Sequence, residues 1–463
     1  MTTRNLFIIQ FTVSLAMFME AVDATVLNTA IPSMAHSLNV NPIDLKIALI
    51  SYLLSLAIFI PISGWVADKY GIKRVFVGAL LIFTLSSLWC GFSHSLVELI
   101  LARTLQGLGG SLTLPVGRLI IIRSFARHQL INVMSRVIMV AAVGMMLGPV
   151  LGGYITHYLS WRWVFWINIP VGILTTALAL YSLKEMSPRP VPRLDILGFI
   201  LFGTSLAAFT FGLSAFSETY VADSIAFCVM IIAVLLMCLY ITHSRRLTHP
   251  IVKTQLFRHR TFFVSSLGNL FARLGFGGTP FLLPLLLQLG LNYPPQISGL
   301  LIAPTALGVV IVKPFIMRLL RLFGYQRLLI INTILVALSL WVFTTINSTS
   351  SVYVISLDTF LFGFLISLQY SAMNSLAYAE IDEENFSAAT SVVSTLQQLS
   401  QSFGVAVSAF LLRIYSPSQV KQFVLTPTVF HHVFFAMGIL TLLSVFIFVQ
   451  LKREDGHELI TPR

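Results

Sequence analysis

Apolar runs of roughly twenty residues recur from one end of this chain to the other, each long enough to cross a ~30 Å hydrocarbon layer as a helix. No soluble core needs such runs, so the lipid bilayer is this chain's solvent. Composition agrees. Hydrophobic residues make up 57% of the 463 residues and charged ones only 10%, with a mean hydropathy of +0.89, where soluble domains carry about 25% charged residues. An ordinary soluble enzyme is excluded. The expected fold class is all-α, a polytopic membrane protein of fourteen transmembrane helices, arranged as two six-helix bundles plus two intervening helices.

Hydropathy places the first six spans near 7–29, 45–66, 75–93, 97–119, 134–157 and 163–183. Two more fall near 195–215 and 222–242, and the last six near 260–289, 297–320, 326–346, 351–377, 387–412 and 429–451. The domains expected are an N-terminal bundle over 1–187, a two-helix insert with linkers over 188–258, and a C-terminal bundle over 259–463. The linkers are basic and rich in proline or histidine, around Pro188 to Arg193 and His243 to Arg260.

Lysine and arginine in short loops set orientation. With the N-terminus cytoplasmic, 23 of the 29 lysines and arginines fall on that side. The opposite side receives only Lys46, Arg162, Arg413 and Lys421, while Arg103 and Arg273 lie within spans. Both termini are therefore expected in the cytoplasm. The exception is the acidic loop after span twelve, with Glu380, Asp382, Glu383 and Glu384. Arg4 followed by an apolar stretch resembles the start of a signal peptide, but Glu20 and Asp23 interrupt it and no small-residue cleavage site follows, so an uncleaved first helix is expected.

The net charge of +12 does not form a basic patch interleaved with aromatics, so nucleic acid is not an expected partner. Cys90, Cys228 and Cys238 all fall inside apolar runs and read as packing residues. The ten histidines show no metal spacing, and no cofactor, metal or catalytic residue is expected. A weak internal echo links Gly71-Ile72-Lys73-Arg74 with Gly324-Tyr325-Gln326-Arg327, each a basic turn between long apolar runs. Two repeated halves are an arrangement found in transporters.

An ionisable residue inside a span is costly and marks a functional candidate. Glu20 and Asp23 lie three apart, on one face of the first helix. Such carboxylates can share or exchange a proton. Asp23 and Arg103 lie at matching depths, about 9 Å from the outer end of their helices at 1.5 Å per residue. Their pairing reads either as a fixed structural ion pair or as part of proton coupling. Arg273, near the middle of span nine, reads as a counter-ion to Glu20, as a contact for an anionic substrate, or as a buried arginine capped by groups such as Asn269. Asp358 reads as an interfacial carboxylate of span twelve.

Three strings complete the candidates. In the turn Gly64-Trp65-Val66-Ala67-Asp68-Lys69-Tyr70-Gly71-Ile72-Lys73-Arg74, Asp68 can accept from backbone donors at a helix start while Lys73 and Arg74 hold the loop at the membrane surface. Span four carries Arg103-Thr104-Leu105-Gln106-Gly107-Leu108-Gly109-Gly110. In span five, Gly144, Gly148 and Gly152 form a stripe that admits a neighbouring backbone, and Pro149 removes a helix hydrogen bond. That stripe reads as a packing face or as part of the coupling device.

In order, these strings resemble the major facilitator superfamily, and in particular its fourteen-span drug:proton antiporter branch. The Gly64 to Arg74 turn looks like the superfamily's signature loop. Asp23-Ala24-Thr25-Val26-Leu27-Asn28-Thr29-Ala30-Ile31-Pro32 resembles the branch's first-helix motif, Arg103 with Gln106 and Gly107 its fourth-helix motif, and Gly144 to Gly153 the fifth-helix motif associated with antiporters. Trp161-Arg162-Trp163-Val164-Phe165-Trp166-Ile167-Asn168-Ile169-Pro170 also looks typical of the branch. Five motifs stand in the right order on the right spans, and the resemblance covers essentially the whole chain. The resemblance implies a monomeric exporter in the cytoplasmic (inner) membrane, with small-molecule substrate, protons and the bilayer as partners. Glu20, Asp23 and Arg103 would serve proton coupling, and Glu20, Asn28, Asn269 and Arg273 would line the substrate cavity. Gly64, Asp68, Gly71, Lys73 and Arg74 would gate the cytoplasmic side, while Gly144, Gly148, Pro149, Gly152 and Gly153 would seal against leak. The second half departs from the pattern: Arg321 stands where Asp68 would align, and Gln397-Gln398 where many relatives show Arg-Gln. Three alternatives stand beside drug export: a dedicated exporter of an anionic metabolite or metal chelate, such as a siderophore or citrate complex; a non-transporting receptor; and a membrane-embedded enzyme, for which no nucleophile setting is present.

Overall fold

A computed structural model describes residues 3–185, 191–216, 221–416 and 425–460. The expected linker start at Pro188, the 187/188 boundary, Lys421 and Arg463 lie outside the described residues, as do the side chains of Arg127 and Glu383. Among the described residues every regular element is a helix. Twelve helices among the described residues are long and apolar enough to cross a membrane.

Span one is Thr3–Leu38. It runs nine residues past the end expected from hydropathy, straight through Pro32. It stops where Asn39 takes a left-handed φ of 52°. Asn39 N–H then donates to the His36 carbonyl and Val40 N–H to the Ala35 carbonyl, which satisfies the last turn.

Span two is Lys46–Phe59, continued by a 3₁₀ turn Ile60–Ile62 at Pro61 and by Ser63–Tyr70. Spans three to six are Ile72–Phe92, Leu96–Ser124, Arg127–Tyr158, and Trp163–Trp166 with Asn168–Ser182. Spans seven and eight are Ile196–Ala215 and Asp223–Ser244. Span nine joins Arg260–Phe276 to Thr279–Leu285 and a π-helical turn Leu286–Gly290. Span ten begins as Pro295–Ile311 and continues from Lys313 to the break at Gly324, whose φ of 69° and ψ of 170° interrupt Lys313–Val342. The remainder, 325–342, is span eleven. Spans twelve to fourteen are Val352–Leu376, Phe386–Tyr415, and Pro427–Leu443 with Val445–Phe448. Helices stand at all fourteen expected places.

Two compact units divide the chain: residues 1–194 with 294–300, and residues 195–293 with 301–463. Spans seven and eight, expected as a separate insert, fall in the second unit. There Ser205 donates to the Ala233 carbonyl to tie them together, and Phe209 of span seven meets Phe403 of span thirteen, ring centroids 5.1 Å apart.

The internal echo extends to contacts. Gly71 takes a φ of 94° and Gly324 one of 69°, a left-handed region where a Cβ is strained. Two residues after each glycine, a side chain reaches the last helix of its own half. Lys73 Nζ donates to the Leu180 carbonyl at 2.7 Å, and Gln326 Nε2 to the Val449 carbonyl at 3.2 Å. Each satisfies a carbonyl that a helix end leaves free, and Lys73 also complements the negative end of its helix.

Candidate functional site

In the first unit, glycines bring the polar groups together. A Cβ at Gly107 would lie 2.6 Å from the Tyr52 carbonyl oxygen, and one at Gly109 2.8 Å from the Phe83 nitrogen. Span four therefore sits against the backbones of spans two and three, closer than any side chain would allow. That approach carries Arg103 and Gln106 inward to meet span one.

Asp23 is the hub. Arg103 Nη1 donates to its Oδ2 at 2.7 Å, while Gln106 Nε2 and Asn168 Nδ2 each donate to its Oδ1 at 2.8 Å. Asp23 and Arg103 are both 1% exposed, so the pair is removed from water and lipid alike. Arg103 Nη1 also donates to Gln106 Oε1 at 2.6 Å, and Gln106 Nε2 to Ser87 Oγ at 2.7 Å. The Arg103 guanidinium lies over the Tyr52 ring, 4.2 Å from its centroid. Spans one to four and six thus converge on one buried, hydrogen-bonded ion pair, which is how a buried charge is tolerated.

Glu20 takes no part in those bonds. Among the described residues its buried Oε2 has no hydrogen-bond partner, nor has the Tyr52 hydroxyl, and both side chains border Gly110 of span four. The two carboxylates share a helix face, as their spacing requires, but only Asp23 is held by basic and amide donors. Asn28, on the same helix, is partly buried.

At the Gly64 to Arg74 turn the structure corrects the expectation for Asp68. It accepts from Arg123 Nη2 at 2.6 Å instead of capping a helix start, because it lies in the last turn of Ser63–Tyr70, too far along the helix to meet free N–H groups. Arg74 pairs with Glu185. Gly64 has open space around it. Asp68 and Arg123 are 29% and 16% exposed, so removing the pair by Asp68→Asn should cost no more than about 1 kcal/mol of stability. Thermal unfolding of the purified variant checks this; a loss of several kcal/mol would mean that the turn is a structural support and not a contact able to break and reform.

The span-five stripe packs against span one. A Cβ would come within 2.8 Å of the Phe18 carbonyl oxygen at Gly144, 1.8 Å of Thr25 Oγ1 at Gly148, and 2.3 Å of the Val26 carbonyl oxygen at Gly152. At Gly153 it would meet the Pro295 carbonyl oxygen at 2.4 Å, and the Pro149 carbonyl lies against Gly299.

In the second unit, Arg273 is buried in span nine. Its Nε donates to Asn269 Oδ1 at 2.7 Å and its Nη1 to Gln401 Oε1 at 3.3 Å, while the guanidinium stacks on Tyr370, 3.8 Å from the ring centroid. Among the described residues of this unit no carboxylate pairs with it. Asp358, about two turns from the start of span twelve, is buried, with Oδ2 unpartnered among the described residues. Cys90 is packed as expected, close to Gln106, but Cys228 and Cys238 are exposed on span eight, because that helix is covered on one side alone.

Sequence reasoning missed Asn168, Ser87 and Tyr52. Asn168 stood inside a quoted motif, and an amide within an apolar run was the available signal. Ser87 and Tyr52 carry no such signal, since both residue types are common in spans.

The comparisons with known proteins agree with this architecture. The model of the Major Facilitator Superfamily matches residues 13–405 and 265–463. The chain is 36% identical over 447 residues to the "Putative multidrug resistance protein MdtD" of Escherichia coli O139:H28, covering 96% of this chain and 94% of that protein, and it matches the Shigella flexneri serotype 5b protein of the same name equally. Among solved structures, an auto-inhibited POT family peptide transporter has a TM-score of 0.71 at 16% identity, covering 99% of both chains. A D-xylose-proton symporter has a TM-score of 0.69 at 15% identity, covering 97% of this chain and 99% of its own. The chain is a multi-pass membrane transporter, not an enzyme, and it belongs to the Major Facilitator Superfamily.

Proposed function

We propose that this protein exports small amphipathic molecules, drugs among them, across the cytoplasmic membrane in exchange for protons, by alternating access. The observation that carries the reading is the Asp23–Arg103 ion pair, buried in a helix bundle and bridged by Gln106 and Asn168. An ionisable pair inside a membrane span marks a functional candidate, and a carboxylate whose attraction to arginine vanishes on protonation couples proton uptake to helix rearrangement. The names of the curated relatives support the substrate class.

In this scheme Asp23, with Glu20 nearby, takes up the proton, and Arg103 is released from or returned to its partner as the state changes. The two six-helix bundles, 1–187 and 259–463, are the moving parts, and the helices between them stay with the second. Glu20, Asn28, Asn269 and Arg273 face substrate. The Asp68–Arg123 contact breaks and reforms in the gating turn, and the glycine face of span five seals the first bundle. Both termini are cytoplasmic, as the loop charges favour.

Reconstituted protein tests the proposal. Under a pH gradient with the external side acid, a panel of lipophilic dyes should move outward as protons move inward, and collapsing the gradient should stop it. Dye flux that persists without any proton gradient would overturn the coupling.

A second reading has its own observation. Arg273 is buried on an aromatic ring with amide partners and no carboxylate among the described residues of its unit, a setting suited to an anionic cargo. If an anion or metal chelate is the cargo, Arg273→Ala should abolish its flux while leaving lipophilic cation flux intact. Equal loss of both would assign Arg273 to the fold.

A further inference from the structure

A cavity of about 520 Å³ lies within the second unit, walled by Phe202, Leu206 and Phe209 of span seven, Met237 of span eight, and Leu399 and Phe403 of span thirteen. Its volume falls in the roughly 300–1,000 Å³ range of ligand sites. The lining is almost wholly apolar, and two of its hydroxyls are already committed. Ser205 bonds the Ala233 carbonyl, and Tyr240 bonds both the nitrogen and the carbonyl of Val252. Thr395 is different: it lines the same cavity, and its buried hydroxyl has no partner among the described residues.

One edge is open. Val234, Cys238 and Arg245, all exposed, line it on the span-eight side, so the cavity communicates with whatever surrounds that helix. In a membrane that is the acyl region. Arg245 stands at the end of span eight where the apolar run gives way to Arg245-Arg246, the depth of lipid headgroups. Among the described residues it has no ion pair and no side-chain hydrogen bond. An apolar slot opening onto lipid, one buried free hydroxyl and one free cation at its mouth ask for an anionic amphiphile.

We infer that this cleft binds a phospholipid with an anionic headgroup: one acyl chain enters between spans seven, eight and thirteen, Thr395 donates to an ester carbonyl, and Arg245 holds the phosphate. The site would fix the two intervening helices to span thirteen. The inference rests on the cleft alone and holds whichever cargo the transporter carries.

Native mass spectrometry of the full chain, titrated in detergent with dioleoyl phosphatidylglycerol or phosphatidylcholine, tests it. The wild type should retain one phosphatidylglycerol in preference to phosphatidylcholine. Arg245→Gln should weaken phosphatidylglycerol about fivefold, as expected for one cation at a headgroup, and leave phosphatidylcholine unchanged, while Arg245→Lys keeps the preference. Leu206→Trp, which fills the slot, should abolish retention of both lipids; Val392→Trp on the opposite wall gives the same reading should Leu206→Trp fail to fold. Equal retention of phosphatidylglycerol by Arg245→Gln and the slot-filling variant would overturn the site. So would competition by glycerophosphate, which has no acyl chain, or occupancy by a lipophilic dye that phosphatidylglycerol cannot displace.

Discussion

Asp23→Asn should reduce proton-coupled transport in proteoliposomes to background and also destabilise the protein. Both effects have the same origin. The substituted amide keeps one oxygen for Gln106 and Asn168 but loses the negative charge, which leaves the Arg103 guanidinium buried opposite a neutral group. Breaking a buried pair on one side costs about 3–5 kcal/mol, mostly the penalty of the stranded charge. Pairing Asp23→Asn with Arg103→Gln removes that charge as well, so stability should return in large part. Transport should not, because no titratable group remains at the hub. Thermal unfolding and dye flux, measured on the same preparations, separate the two roles. Recovery of flux along with stability in the double variant would reduce the ion pair to a structural clamp and sink the coupling proposal.

The span pattern was legible because the bilayer imposes it: an apolar run of fixed length has to be a helix, and helices stand at all fourteen expected places. Helix ends were less legible. Hydropathy ended span one near 29, yet it continues through Pro32 to Leu38 because the chain stops the helix with the left-handed Asn39, a backbone event that composition does not announce. The Asp23–Arg103 meeting followed from depth alone, since two charges at one height in oil have few other options. Its amide shell did not. Gln106 reaches Asp23 because Gly107 and Gly109 let span four approach the neighbouring backbones, and Asn168 comes in from span six, 145 residues along the chain, a geometry that no single run of residues encodes. Asp68 was misread for a related reason. Its partner Arg123 lies 55 residues on, and sequence reasoning supplied the nearest local acceptor role instead.

Gly152→Ala should be among the most damaging single-methyl additions in the first unit, and the structure ranks it against its neighbours. The new Cβ would meet the Val26 carbonyl oxygen at 2.3 Å, and backbone can yield only if spans one and five separate. Overpacking of this kind costs about 1–3 kcal/mol. Gly148→Ala meets Thr25 Oγ1 at 1.8 Å, a side chain, so adding Thr25→Ala should recover part of the loss. No side-chain truncation on span one removes the carbonyl facing Gly152. Gly78→Ala in span three has nothing within 4 Å and should be neutral or slightly stabilising, by up to about 1 kcal/mol, since alanine restricts the unfolded chain. Unfolding midpoints check the ranking. Proton leak in substrate-free vesicles then asks what the face is for. If the contact of span five with span one keeps the pathway closed, Gly152→Ala should raise leak above the wild type while Gly78→Ala does not. A drop in stability with leak unchanged would leave the stripe as packing and remove it from the transport cycle.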